Sequence, residues 1–207
     1  MSVTLEPLDL AALLCSRVCH DLISPVGAIV NGLEVMEEGG DADTQAFALD
    51  LIKKSAKQAS AKLQFCRLAF GAAGSAGAQI DTGDAEKVAR GFIEDGKVTL
   101  DWTLPRALLP KNKVKLLLNM LLIAANSVPR GGALRLDPVG EGGFQIKATG
   151  TIARLPPAVP GLLEGTSEGG AIDAHAIQPF YAGLLAKSSG LALTAVTEGE
   201  AVVLTAR

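Results

Sequence analysis

CSRVCHDLISPVGAIVNGLEVM, residues 15–36, decides how this chain begins to fold. Its apolar side chains, Cys15, Val18 or Cys19, Leu22, Val26, Ile29, Leu33 and Met36, recur alternately every three and four positions, a spacing that predicts one amphipathic helix over 9–38. Gly39 and Gly40 end that helix, and Asp41 or Asp43 caps a second one. The second stripe runs Leu49, Ile52, Ala56, Ala59, Leu63, Cys66 and Phe70. Two helices joined by so short a turn form an antiparallel hairpin. Each carries a narrow seam of the kind that packs in four-helix bundles, yet the chain supplies only two such helices. A second copy is expected to provide the other two, making a homodimer.

The same stretch places one of only two histidines beside two of the three cysteines. Three residues separate Cys15 from Cys19, so the haem-attachment spacing C-x-x-C-H is not met. Both thiols are expected near the apolar seam as small hydrophobes, because no further histidine or cysteine stands nearby to complete a zinc shell. His20 differs. With Leu22 at the centre of the seam and about 100° per residue, its ring falls near the opposite pole and faces water. Arg17, Ser24, Gly27, Asn31 and Glu38 share that face. Pro25 sits inside the helix without an N–H to offer the carbonyl of Asp21, which predicts a bend one turn past the histidine. A lone surface histidine is ordinarily just solvated, so exposure by itself assigns no chemistry.

The bulk numbers narrow the classes. A chain of 207 residues with 48% apolar content can build one large domain or two modest ones. A formal charge of -3, with no basic cluster among aromatics, speaks against nucleic acid as a partner. An odd cysteine count fits reduced thiols, no uninterrupted apolar run reaches membrane-spanning length, and residues 1–10 lack a basic leader. A cytoplasmic protein with no membrane partner is expected.

GAAGSAGAQ, residues 71–79, is small and flexible, and both composition and periodicity change after it. The expected division is a helical hairpin over 1–72 and a second domain over 78–207. Within the latter, helical patterns at 84–94, 111–127 and 174–188 alternate with the strand-like runs VTLDWTL, GALRLDPV, FQIKATG, LALTAVT and AVVLTAR. The last two flank Glu198, Gly199 and Glu200 as a closing hairpin. The fold class is therefore α+β: a helical hairpin completing a dimeric four-helix bundle, then an α/β sandwich of one mixed sheet with helices on one face.

CHDLISPVGAIVNGLEVM resembles the H-box of sensor histidine kinases: histidine, acidic residue, apolar residue, any residue, a small polar residue, proline, then an apolar helix. His20, Asp21, Leu22, Ser24 and Pro25 fall on those positions in order. The resemblance implies that His20 accepts a phosphoryl group, that two hairpins assemble a homodimeric bundle, and that Asp21 orients the ring or takes its proton. Arg17, Ser24, Gly27 and Asn31 then become candidate contacts for a partner protein, with Ser24 equally explained as an uncommitted polar residue.

The second domain resembles that family's nucleotide-binding sandwich, with departures in three motifs. In KLLLNMLLIAANSVPRGGALRL, Asn119 matches the first conserved asparagine, but Ile123 occupies the position that holds Mg²⁺. The loop expected to carry an adenine-reading aspartate has Ala148, Thr149 and Gly150. A Gly-Leu-Gly-Leu motif is replaced by Tyr181, Ala182, Gly183 and Leu184. Members of this kind are histidine phosphotransferases rather than kinases. The implied activity is relay of a phosphoryl group through His20, from the receiver-domain aspartate of a hybrid histidine kinase to the aspartates of response regulators. No cofactor of its own is expected, and Mg²⁺ belongs to the partner receiver. Two alternatives stay open: an ATP-dependent kinase core with an unusual nucleotide site, and a non-catalytic scaffold that docks receivers. Elsewhere His175, two residues after Asp173, reads as a capping or packing residue, Trp102 as core, and Lys53, Lys54, Lys57 and Lys62 as a solvated face or a surface for acidic receivers.

Overall fold

A computed structural model describes residues 1–71, 78–94 and 96–207; within the expected linker, positions 72–77 lie outside the described residues. Helix α1 spans Pro7–Glu38, with Pro7 pre-setting the first turn, and continues through Pro25. Helix α2 spans Ala42–Ala69, and the Asp41 carboxylate caps it by accepting from the Thr44 N–H at 2.8 Å. They pack as the expected antiparallel hairpin.

The single seam expected on α1 resolves into two rows one residue apart. Val18, Leu22, Pro25, Ile29, Gly32 and Met36 are the covered positions on the hairpin side, and Gly32 is fixed by its neighbour: a Cβ there would stand 2.7 Å from Cγ1 of Ile52. Cys19, Ile23, Val26, Val30 and Leu33 form a second apolar row that lies open in the single chain, Ile23 being 70% and Leu33 48% exposed. Adjacent residues sit about 100° apart on a helix, so two offset heptad rows read as one broad stripe in sequence. Cys15 and Cys19 are accordingly exposed rather than packed in a core. By length and composition α1 is also apolar enough to cross a membrane, which a search for uninterrupted apolar runs misses.

After the hairpin come β1 (Gln79–Asp81), α3 (Thr82–Ile93), β2 (Val98–Trp102), β3 (Leu108–Pro110), α4 (Lys111–Asn126), β4 (Gly132–Val139) and β5 (Gly143–Thr149). Then follow α5 (Ala158–Glu164), α6 (Ile177–Ser188), β6 (Leu193–Glu198) and β7 (Ala201–Ala206). The main sheet has the order β2-β4-β5-β7-β6, parallel only between β2 and β4, and β1 pairs with β3 as a small separate ribbon. The closing hairpin pairs Glu198 with Ala201, with Gly199 at φ 59° in its turn. Three elements escape the sequence patterns: β1, β3 and α5. The first two have three residues each, and α5 carries Pro160 in its first turn, where a missing N–H costs nothing.

Helix α4 is buried almost all round, from Val114 to Ala124, and forms the centre of the core with Leu134, Leu136, Ile146 and Leu204 of the sheet. The foot of the hairpin enters this same core. Phe65 is fully buried and stacks on Phe92 of α3 with ring centroids 4.2 Å apart. Asn119, also sealed, donates its amide to the carbonyls of Ala69 and Lys115 at 3.3 and 2.9 Å, while Gln178 donates back to its side-chain oxygen at 3.3 Å. A buried amide with every group paired locks α2, α4 and α6 together. The residue that the kinase resemblance assigns to a nucleotide motif is here a structural joint.

A second joint lies at the start of the chain. The Met1 carbonyl accepts from Ser167 N–H at 3.0 Å, Ser2 bridges Thr166, and Val3 N–H donates to Gly165 at 2.9 Å. The residues leading into α1 thus strap onto the loop between α5 and α6.

Candidate functional site

The hairpin positions the site from within α1. His20 is 65% exposed, and its Nδ1 lies 3.4 Å from Oδ1 of Asp21. Asp21 is held from behind, its Oδ2 accepting from Nε of Arg17 at 3.1 Å one turn earlier. Lys62 of α2 reaches across to the Asp21 carbonyl at 2.9 Å, taking up the acceptor that Pro25 leaves without a donor. A carboxylate beside Nδ1 favours the tautomer with its proton on that nitrogen, the form whose Nε2 carries a free lone pair. Beneath, Cys66 is buried, and desolvation, reinforced by the nearby Asp21 charge, pushes its thiol up to about 11. That thiol is inert packing, not a nucleophile.

Ser24 and Asn31 are exposed on the histidine face, and a Cβ built at Gly27 would meet nothing within 4 Å. The surroundings of the ring are therefore low on the α1 side. Arg17 departs from the expected open face: it and Asp21 are only 14% and 13% exposed, because both turn toward a groove between hairpin and sandwich. That groove encloses about 760 Å³ and is lined by Lys54, Lys57 and Lys62 from α2 and by Phe92, Glu94, Lys97 and Val98 from the second domain. Three of the four lysines singled out on α2 thus share a wall beside Asp21; Lys54 there also pairs with Asp50 at 2.7 Å.

His175 is brought beside His20 by the fold, a placement that the sequence does not reveal. Its backbone belongs to a turn capped by Asp173, whose Oδ1 accepts from the N–H groups of His175 and Ala176 at 2.9 and 2.7 Å. Those bonds, the Ala176 one foremost, hold the Asp173 carboxyl below its usual range. The capping role expected of this segment belongs to Asp173. The His175 ring stands against His20, with centroids 5.5 Å apart and planes at 78°. No spacing rule reveals a meeting across 155 positions.

The nucleotide-motif positions have structural neighbours. Ile123 is 3% exposed within the core. Gly183 is not in a loop but inside α6, where a Cβ would stand 2.1 Å from the Leu163 carbonyl oxygen of α5. Among the described residues no three His, Cys, Asp or Glu side chains converge to hold a metal.

A helical hairpin thus displays a carboxylate-backed histidine above an α/β sandwich. A sequence model of the histidine phosphotransferase C-terminal domain matches residues 82–201. The chain is 53% identical to the protein phosphotransferase ChpT of Brucella abortus (strain 2308) over 209 residues, covering 100% of this chain and 99% of that one. A solved bacterial phosphotransferase superposes with a TM-score of 0.89 at 50% identity, covering 100% of both chains. The chain belongs to the histidine phosphotransferase family, and its activity is phosphoryl transfer within a phosphorelay.

Proposed function

We propose that His20 is the phosphoryl carrier, loaded from the aspartyl phosphate of a hybrid kinase receiver domain and unloaded onto response-regulator aspartates, in the cytoplasm and without nucleotide. The observation that carries this reading is the exposed ring with Asp21 at its Nδ1. In the forward step the Nε2 lone pair attacks phosphorus, the N–P bond forms, and the P–O bond to the receiver aspartate breaks with its electron pair staying on the carboxylate. The ring is left cationic, and Asp21, anchored by Arg17, shares or accepts its Nδ1 proton. Return transfer reverses these movements. Mg²⁺ belongs to the receiver.

Three features support independence from ATP. Ile123 offers a hard cation no oxygen, Ala148 to Gly150 offer adenine no carboxylate, and Gly183 is consumed in the crossing of α5 and α6. The partner surface we assign is the histidine face, with Ser24, Gly27 and Asn31, continued by the cationic wall of Arg17, Lys57 and Lys62. Purified protein mixed with a phosphorylated receiver domain is expected to take up acid-labile, base-stable label, whereas labelled ATP alone gives none. Self-labelling from ATP would instead establish a kinase, and docking without label uptake would leave only a scaffold.

The open row Cys19, Ile23, Val26, Val30 and Leu33, with Leu49 and Leu63 on α2, supports a homodimeric four-helix bundle. Leu33→Asp places a charge in the middle of that contact. The expected result is conversion from dimer to monomer at micromolar concentration in sedimentation, with helicity retained because the covered row is untouched; an unchanged dimer would locate the interface elsewhere.

A further inference from the structure

We propose that His175 is a second component of the transfer site: its imidazole N–H binds the phosphoryl oxygens once the group sits on His20. This inference rests on His20 being the carrier. The chain has two histidines, separated by 155 positions, and the fold brings their rings to 5.5 Å between centroids, edge against face. Packing does not account for the meeting. Both rings belong to exposed residues, and an aromatic contact stabilises mainly through the apolar area it buries. A leucine or phenylalanine would serve that purpose better.

The backbone that presents His175 is braced on two sides. Asp173 holds the turn through two N–H groups, and the loop preceding it is strapped at Gly165, Thr166 and Ser167 by the first residues of the chain. The side chain is thus offered to α1 from a fixed support. With Nδ1 of His20 turned to Asp21, the phosphoryl group forms on Nε2 and adds anionic acceptor oxygens beside that ring. An imidazole in contact with His20 is placed to donate one charge-assisted hydrogen bond to them, in either its neutral or its cationic form. The covalent step is unchanged: N–P forms, P–O breaks, and no proton moves to or from His175. What changes is the stability of the phosphorylated form, and with it the equilibrium between receiver and carrier.

The test is the equilibrium partition of label between a phosphorylated receiver and the full chain, measured for wild type, His175→Ala, His175→Phe and His175→Gln. Affinity for the unphosphorylated receiver is measured alongside. Alanine and phenylalanine are expected to shift the partition toward the receiver by about tenfold, the worth of one partly solvated hydrogen bond to a charged group, and glutamine to stay within about threefold of wild type. Receiver affinity is expected to be the same in all four. A phenylalanine variant that partitions like wild type, or a glutamine variant as impaired as alanine, makes the ring a packing element and overturns the assignment while leaving the relay intact. His20→Ala serves as the control: label on that variant overturns the carrier reading, and this inference with it.

Discussion

Replacing His20 by alanine is expected to yield a folded protein that takes no label from a phosphorylated receiver. The fold survives because the ring is mostly in water, contributing one 3.4 Å contact with Asp21 and one with His175, neither of them in the core. Surface changes of this kind move stability little, so the melting temperature is expected within about 2 °C of wild type. The chemistry is expected to be lost. No other side chain on that face, Ser24 and Asn31 included, offers a nitrogen lone pair, and the Cys66 thiol near Asp21 is buried and held in its protonated form. His175 is the remaining imidazole in the chain, and its labelling in the alanine variant would move the acceptor to the second domain.

Gly183→Ala is expected to destabilise the second domain, although glycine inside a helix is ordinarily a weakness. Alanine gains about 1 kcal/mol in helix propensity at such a position. Against this, the new Cβ would stand 2.1 Å from the Leu163 oxygen and 2.9 Å from its carbonyl carbon, which are backbone atoms of α5 and cannot swing aside. Forcing two packed helices apart typically costs about 1–3 kcal/mol, with lost contacts of Leu162, Leu163 and Leu185 in addition. A net loss of about 2 kcal/mol corresponds to a fall in melting temperature of about 4–8 °C for a chain this size. A variant as stable as wild type would show that α5 yields freely and that the glycine is not set by the helix crossing.

The hairpin and the main strands are legible from the sequence because periodicity reports which side of an element meets apolar neighbours. Five strand-like runs correspond to β2, β4, β5, β6 and β7, the last two joined by the turn that Glu198, Gly199 and Glu200 mark in the sequence. Periodicity says less about how many neighbours there are. On α1 it shows apolar residues but does not separate the row beneath α2 from the row left open, since the two differ by a single position. Short elements fail for a different reason: β1 and β3 have three residues each, too few for alternation to register, and Pro160-Gly161 disguises the start of α5 as a loop. His20 is legible through its motif and through the wheel. Arg17 is misplaced because the wheel ignores the second domain, which draws that side chain into the groove. The meeting of His175 with His20 is illegible in principle, since that contact is made only by tertiary structure.

The clasp between the first three residues and the loop at 165–167 gives the molecule two attachments where the covalent chain alone supplies one. A lobe held at the foot of α2 and again beside the origin of α1 loses the freedom to pivot about a lone tether. A receiver docking on the proposed surface would consequently meet a recess already shaped, with the entropy of arranging its walls spent during folding rather than at each encounter. On the proposed relay, such rigidity would favour brisk exchange with a receiver over its tight capture.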